Sequence, residues 1–91
     1  MTLHDIDPLH GVLDKITPAL AEVLSYLRDG LRTPQIAEKR GVSVNTVQKQ
    51  VEHLLGITGL HSADALAAWW ARWQHAWLAR LAERARIDLP P

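Results

Sequence analysis

Few side chains in this 91-residue chain are candidates for chemistry, and they are suited to recognition more than to catalysis. His4, His10, His53, His61 and His75 never fall at a metal-ligand spacing. With no cysteine and no paired carboxylate beside them, they predict no zinc centre. Ser25, Ser43 and Ser62 read as one helix position and two helix caps, and the chain has neither a glycine-rich phosphate loop nor a nucleophile elbow. No catalytic residue, metal or cofactor is therefore expected, and no enzyme. What remains is a polar run from Asn45 to Glu52: the carboxamides of Asn45, Gln48 and Gln50, the ammonium of Lys49 and the carboxylate of Glu52. Such groups donate and accept hydrogen bonds, and in combination they match a donor and acceptor pattern on a partner.

A helix is needed to aim them together, and the apolar spacing supplies one. Ser43 caps a segment whose inward positions are Val44, Val47, Val51, Leu54 and Leu55, leaving Asn45, Gln48, Lys49 and Glu52 outside. Gly56 and Gly59 bracket a break, so this helix is expected over 43–55. Before it, Thr33-Pro34 is a helix-start signal, with Ile36 and Ala37 inward and Gly41 as the stop. The same signal at Thr17-Pro18 opens a helix with Leu20, Val23, Leu24 and Leu27 at helical spacing, ending at Asp29-Gly30. Ser62 opens a long helix from Ala63 to about Ile87. Residues 1–14, with little periodicity and with Pro8 and Gly11, predict an arm or a short extra helical turn, too short for a sensing domain. No strand-like alternation of useful length appears. The expected fold is all-α with four helices: an arm over 1–15, a core over 16–66 and a long tryptophan-rich helix over 62–88.

The length suits one domain with one small core. Absence of cysteine excludes a disulfide framework and fits a reducing compartment, so a cytoplasmic location is expected. No apolar run approaches the roughly 18 residues that cross a bilayer, and the N-terminus carries Asp5, Asp7 and Asp14, so neither secretion nor membrane insertion is expected. Formal net charge is zero, which argues against a cationic coat that holds any polyanion. Between Arg28 and Lys49, however, the basic Arg28, Arg32, Lys39, Arg40 and Lys49 face only Asp29 and Glu38.

Two short helices meeting at a glycine-containing turn, the second presenting amides and a base from its first two turns, form the helix-turn-helix pattern. The major groove admits one α-helix, and carboxamide, amine and carboxylate groups distinguish base edges there. From Ile16 to Leu66 the chain resembles, without a gap, the LuxR-type (GerE-like) helix-turn-helix domain of bacterial transcription regulators. The likeness is carried by "ITP" at the first helix, "EVLSYLRDGL" to Leu31, "IAEKRGVS" from Ile36 to Ser43, Thr46-Val47, Val51 and "GLHSADAL" from Gly59 to Leu66. It implies a transcription regulator that binds double-stranded DNA, with the helix from Ser43 in the major groove. On this chain the resemblance assigns base reading to Asn45, Gln48, Lys49 and Glu52, and backbone contact to Thr33, Gln35, Arg40, Thr46 and Gln50. The chain departs from the family at Gln48, where lysine is usual, at Gln50, where histidine is frequent, at Glu52, where a base is frequent, and in "HLLGITGL", which lacks the basic tail. Each missing cation removes about one released counterion, so binding is expected to be weaker and less salt-dependent than is usual for the family.

The last segment, "ALAAWWARWQHAWLARLAERARI", holds all four tryptophans, Trp69, Trp70, Trp73 and Trp77, while Tyr26 is the one other aromatic residue. Leu66, Trp70, Trp73, Trp77 and Leu81 form an apolar stripe at helical spacing, widened by Trp69 and Leu78. One reading closes the monomer core with these rings. The favoured reading is a homodimer interface formed by Leu66, Trp69, Trp70, Trp73, Trp77 and Leu81, since tryptophan is enriched among residues that dominate interfaces and the resembled family pairs through its last helix. An alternative function is an adaptor or anti-regulator that keeps the fold and binds a regulator protein through the tryptophan face. An amphipathic membrane-surface helix, with Arg72, Arg80, Arg84 and Arg86 near the rings, has the composition but no lipid signal elsewhere.

Overall fold

The computed structural model describes residues 7–88, with side chains over residues 11–85; the start of the expected arm and His4 lie outside the described residues, as does the His10 side chain. The architecture is all-α, in the order α1 Asp7–Lys15, α2 Pro18–Arg28, α3 Thr33–Arg40, α4 Val44–Thr58 and α5 Ala63–Asp88. Among the described residues five helices thus stand where four were expected, because α1 covers most of the expected arm. This nine-residue helix contains Pro8 and Gly11, and it is held by packing: Leu13 and the following Ile16 are buried in the common core against α4 and α5.

The helix starts follow local chemistry. Thr17 Oγ1 accepts from the Leu20 amide at 3.2 Å and Pro18 occupies the first helical position of α2. For α3 the cap lies one residue earlier than the Thr33-Pro34 signal suggested. Arg32 holds the extended cap conformation, and its amide donates to Gln35 Oε1 at 2.8 Å. Ser43 Oγ accepts from the Thr46 amide at 3.1 Å, and Ser62 Oγ from the Ala65 amide at 3.0 Å. Gly41 stops α3 in the left-handed region at φ 68°, where the Val42 amide returns to the Ala37 carbonyl.

Two expectations about α4 are corrected. Gly56 does not break the helix, which continues through it to Thr58 and ends at Gly59, φ 74°. The Thr58 hydroxyl supports that exit, donating to the Leu54 carbonyl at 2.8 Å and accepting from the Leu60 amide at 3.2 Å. Val44, expected inward from its spacing to Val47, is 40% exposed, as the first helical residue, with no preceding turn of its own helix to lie against.

The core brings Leu20, Val23, Leu24 and Leu27 of α2 together with Ile36 of α3, Val47 and Leu54 of α4, and Leu66, Trp70 and Trp77 of α5. The principal packing is α2 on α5. Both buried indoles find acceptors: Trp70 Nε1 donates to Ser25 Oγ at 3.0 Å, whose hydroxyl donates to the Ala21 carbonyl, and Trp77 Nε1 donates to the Ile16 carbonyl at 2.8 Å. Their rings meet at 5.6 Å between centroids, tilted by 60°. Across the surface, Arg80 grips both carboxylate oxygens of Asp14 at 2.6 Å, tying α5 to α1.

Candidate nucleic-acid interface

The candidate surface begins at α3 and α4, which are joined by Gly41, Val42 and Ser43. Ile36 and Ala37 are buried on one side of this turn and Val47 on the other, so α4 is seated on α3 by its buried side. Asn45, Gln48, Lys49 and Glu52, at successive steps of three, one and three residues, then fall within one arc of about 100° at 100° per residue. All four are exposed, and among the described residues none of their side chains makes a hydrogen bond or ion pair with the rest of the chain. They are a side of the helix that folding leaves unused.

The residues expected to grip a DNA backbone are arranged otherwise. Gln35 is committed to the α3 cap through its side-chain oxygen. Thr46 Oγ1 lies 2.9 Å from Ser43 Oγ, within the α4 cap. Thr33 is half-buried in a recess shared with Leu27, Leu31 and Asp64. Arg40 and Gln50 bond to each other: Arg40 Nη1 donates to Gln50 Oε1 at 2.6 Å, and Arg40 Nε donates to Glu22 Oε1 at 2.6 Å. The Arg40 side chain is only 12% exposed. Gln35, Arg40 and Gln50 thus each engage a partner within the chain, besides any contact expected of them outside it.

The local excess of positive charge is trimmed by these pairings. Arg28 engages Asp29 and Gln74, and Arg40 engages Glu22 of α2. Arg32, Lys39 and Lys49 are exposed and form no ion pair among the described residues. The cations available to an anionic partner are therefore fewer than the composition of 28–49 suggests.

Val44 is a residue the sequence reading missed. Exposed next to Asn45 and one turn before Gln48, it adds an apolar group to the polar side, as does Val42 in the turn. The signal that could have found it is its place as the first residue after a cap, where an apolar stripe has no preceding turn to lie against.

The expected interface set divides. Leu66, Trp70 and Trp77 are core of this one chain, with Trp70 only 1% exposed, so they are corrected from interface to interior. Trp69 and Trp73 are half-buried, the first stacked near Trp70 at 6.2 Å and the second beneath Arg72 at 5.5 Å. Leu81 is 39% exposed and Leu78 47% exposed, Leu81 beside a recess that it lines with Ile16, Thr17 and Pro18. Among the described residues no group of three or more His, Cys, Asp and Glu gathers at a metal-binding distance, and no helix is long and apolar enough to cross a membrane. The chain matches no protein-family model, no curated protein and no solved structure.

Proposed function

We propose that this chain is a sequence-specific DNA-binding transcription regulator that acts in the cytoplasm and lays α4 in the major groove of double-stranded DNA. The reading is carried by one observation: Asn45, Gln48, Lys49 and Glu52 share an exposed side of α4, and their side chains have no hydrogen-bond or ion-pair partner among the described residues. Their chemistry suits base edges. Asn45 or Gln48 pairs with adenine through two hydrogen bonds, Lys49 donates to guanine, Glu52 accepts from cytosine, and Val44 meets a thymine methyl. The few unpaired cations leave little to backbone attraction, so discrimination among sequences weighs more than affinity for any duplex.

Selection from a randomised duplex library, followed by salt titration of the winner beside a scrambled duplex, tests this. Enrichment of one sequence bound at least roughly a thousandfold tighter than the scrambled control supports the reading. Lys49→Ala and Gln48→Ala should each then weaken the selected duplex by roughly tenfold with the helical circular dichroism unchanged. If no sequence is enriched, or both variants bind like the parent, α4 is not the reader.

Pairing into a homodimer, which would set two reading helices on successive half-sites, is part of the proposal, and it now falls to Leu78 and Leu81 with the half-buried Trp69 and Trp73. The same exposed leucines favour the second reading, an adaptor that binds a regulator protein by this end of α5. Leu78→Asp with Leu81→Asp separates the two. A dimeric regulator becomes monomeric in sedimentation equilibrium and loses its two-half-site duplex, whereas an adaptor is monomeric before and after and binds no duplex in either form.

A further inference from the structure

Arg40 ends α3, yet its guanidinium reaches two other helices. Nε donates to Glu22 Oε1 of α2 and Nη1 donates to Gln50 Oε1 of α4, both at 2.6 Å, and the side chain is almost wholly covered. Among the described residues the other side chains that seat α4 on its neighbours are apolar: Val47 and Leu54 are fully buried, with Val51 and Leu55 partly so. Apolar packing seats the helix by shape but contributes no directional bond of its own. A planar guanidinium with donors in a fixed fork does impose a direction.

We infer that Arg40 is a positioning residue for base reading: by holding Gln50 to Glu22 it sets the roll of α4 and so aims Asn45, Gln48, Lys49 and Glu52. The inference rests on α4 as the reading helix. Gln50 lies between Lys49 and Glu52 in the chain, so its anchor acts at the middle of the reading segment. A roll of about 10° moves a group some 5–6 Å from the helix axis by about 1 Å. That exceeds the tolerance of a hydrogen bond to a base edge, whose donor–acceptor distance stays within about half an ångström of range. The clamp therefore acts on discrimination, and it does so without Arg40 touching DNA.

The test compares Arg40→Met, which keeps the apolar stem and removes the fork, with Arg40→Lys, which keeps the charge as a single point donor. For Arg40→Met the expected result is a loss of roughly tenfold on the selected duplex, no change on the scrambled one and an unchanged salt slope; Arg40→Lys recovers part of the ratio. If instead both duplexes weaken together, the salt slope falls by about one and Arg40→Lys restores binding in full, Arg40 is a phosphate contact and the inference is overturned. A ratio that Arg40→Met leaves unchanged also overturns it.

A DNA-independent arm keeps the two readings apart. Residual dipolar couplings of the α4 amides, referred to those of α2 and α5, should report a changed helix orientation in Arg40→Met. Unchanged couplings overturn the clamp whatever the protein binds. Changed couplings in a protein that selects no duplex would leave the clamp standing and remove the DNA-binding reading. Should Arg40→Met fail to fold, Gln50→Ala, which deletes one acceptor from a half-buried site, carries the same expectations.

Discussion

Trp70 and Trp77 show how one side chain can be read correctly as apolar and still be misplaced. Their spacing with Leu66 marks a stripe, but a stripe has the same period whether it faces its own chain or a copy. The difference is made by Leu13 and Ile16, which precede α2 and close over the rings. Trp77→Phe keeps most of the ring area and leaves the Ile16 carbonyl without its donor, so it should cost about 1–3 kcal/mol in urea unfolding. Trp70→Ala empties a fully buried site and should cost about 3–5 kcal/mol. The reading residues were more legible. Asn45, Gln48, Lys49 and Glu52 are outward because Val47 and Leu54 are inward, a relation contained in the spacing itself. Arg40 and Gln50 were not legible, since nothing local to them names Glu22 or each other as partners.

Among the elements, caps and stops were the clearest signals. Thr17, Ser43 and Ser62 each accept an amide three residues on, and Gly41 and Gly59 hold left-handed turns. Gly56 and Gly41 make a matched experiment. Gly56 is within a helix, with open space where a Cβ would stand, so Gly56→Ala should stabilise by up to about 1 kcal/mol. Gly41 has equally open space but a positive φ, so Gly41→Ala should destabilise by about 1–2 kcal/mol. Thermal melts of the two variants beside the parent check both signs, and equal shifts would mean that Gly56 serves as a break after all. α1 escaped sequence reading for the opposite reason: its local propensity is poor and its stability comes from the helices it touches.

At the scale of the whole molecule, the fold is flatter than a compact chain of this length. Its radius of gyration is 14.1 Å, against about 12 Å expected for the size, and its extents are 41 × 37 × 19 Å. The 26-residue α5, about 39 Å long, accounts for the long dimension. A boundary drawn at residue 66 would cut this helix before two of its three core residues. A 16–66 fragment should therefore lack a cooperative thermal transition, while 7–88 should retain one; circular dichroism melts distinguish them. The all-α class was legible from periodicity alone. The dependence of the first helices on the last was not, because long-range packing leaves no mark on local spacing.

The indole of Trp77 reaches back to the carbonyl of Ile16, 61 positions earlier in the chain. On a ribosome adding roughly 5–20 residues per second, the α2 surface is made about 3–12 s before the ring that covers it. Through that interval Leu20, Leu24 and Leu27 belong to an unfinished core, with the hazard of binding neighbouring nascent chains. Synthesis of this small protein thus has a vulnerable window that closes only once α5, with Trp70 and Trp77, is free of the ribosome and packs back on the earlier helices.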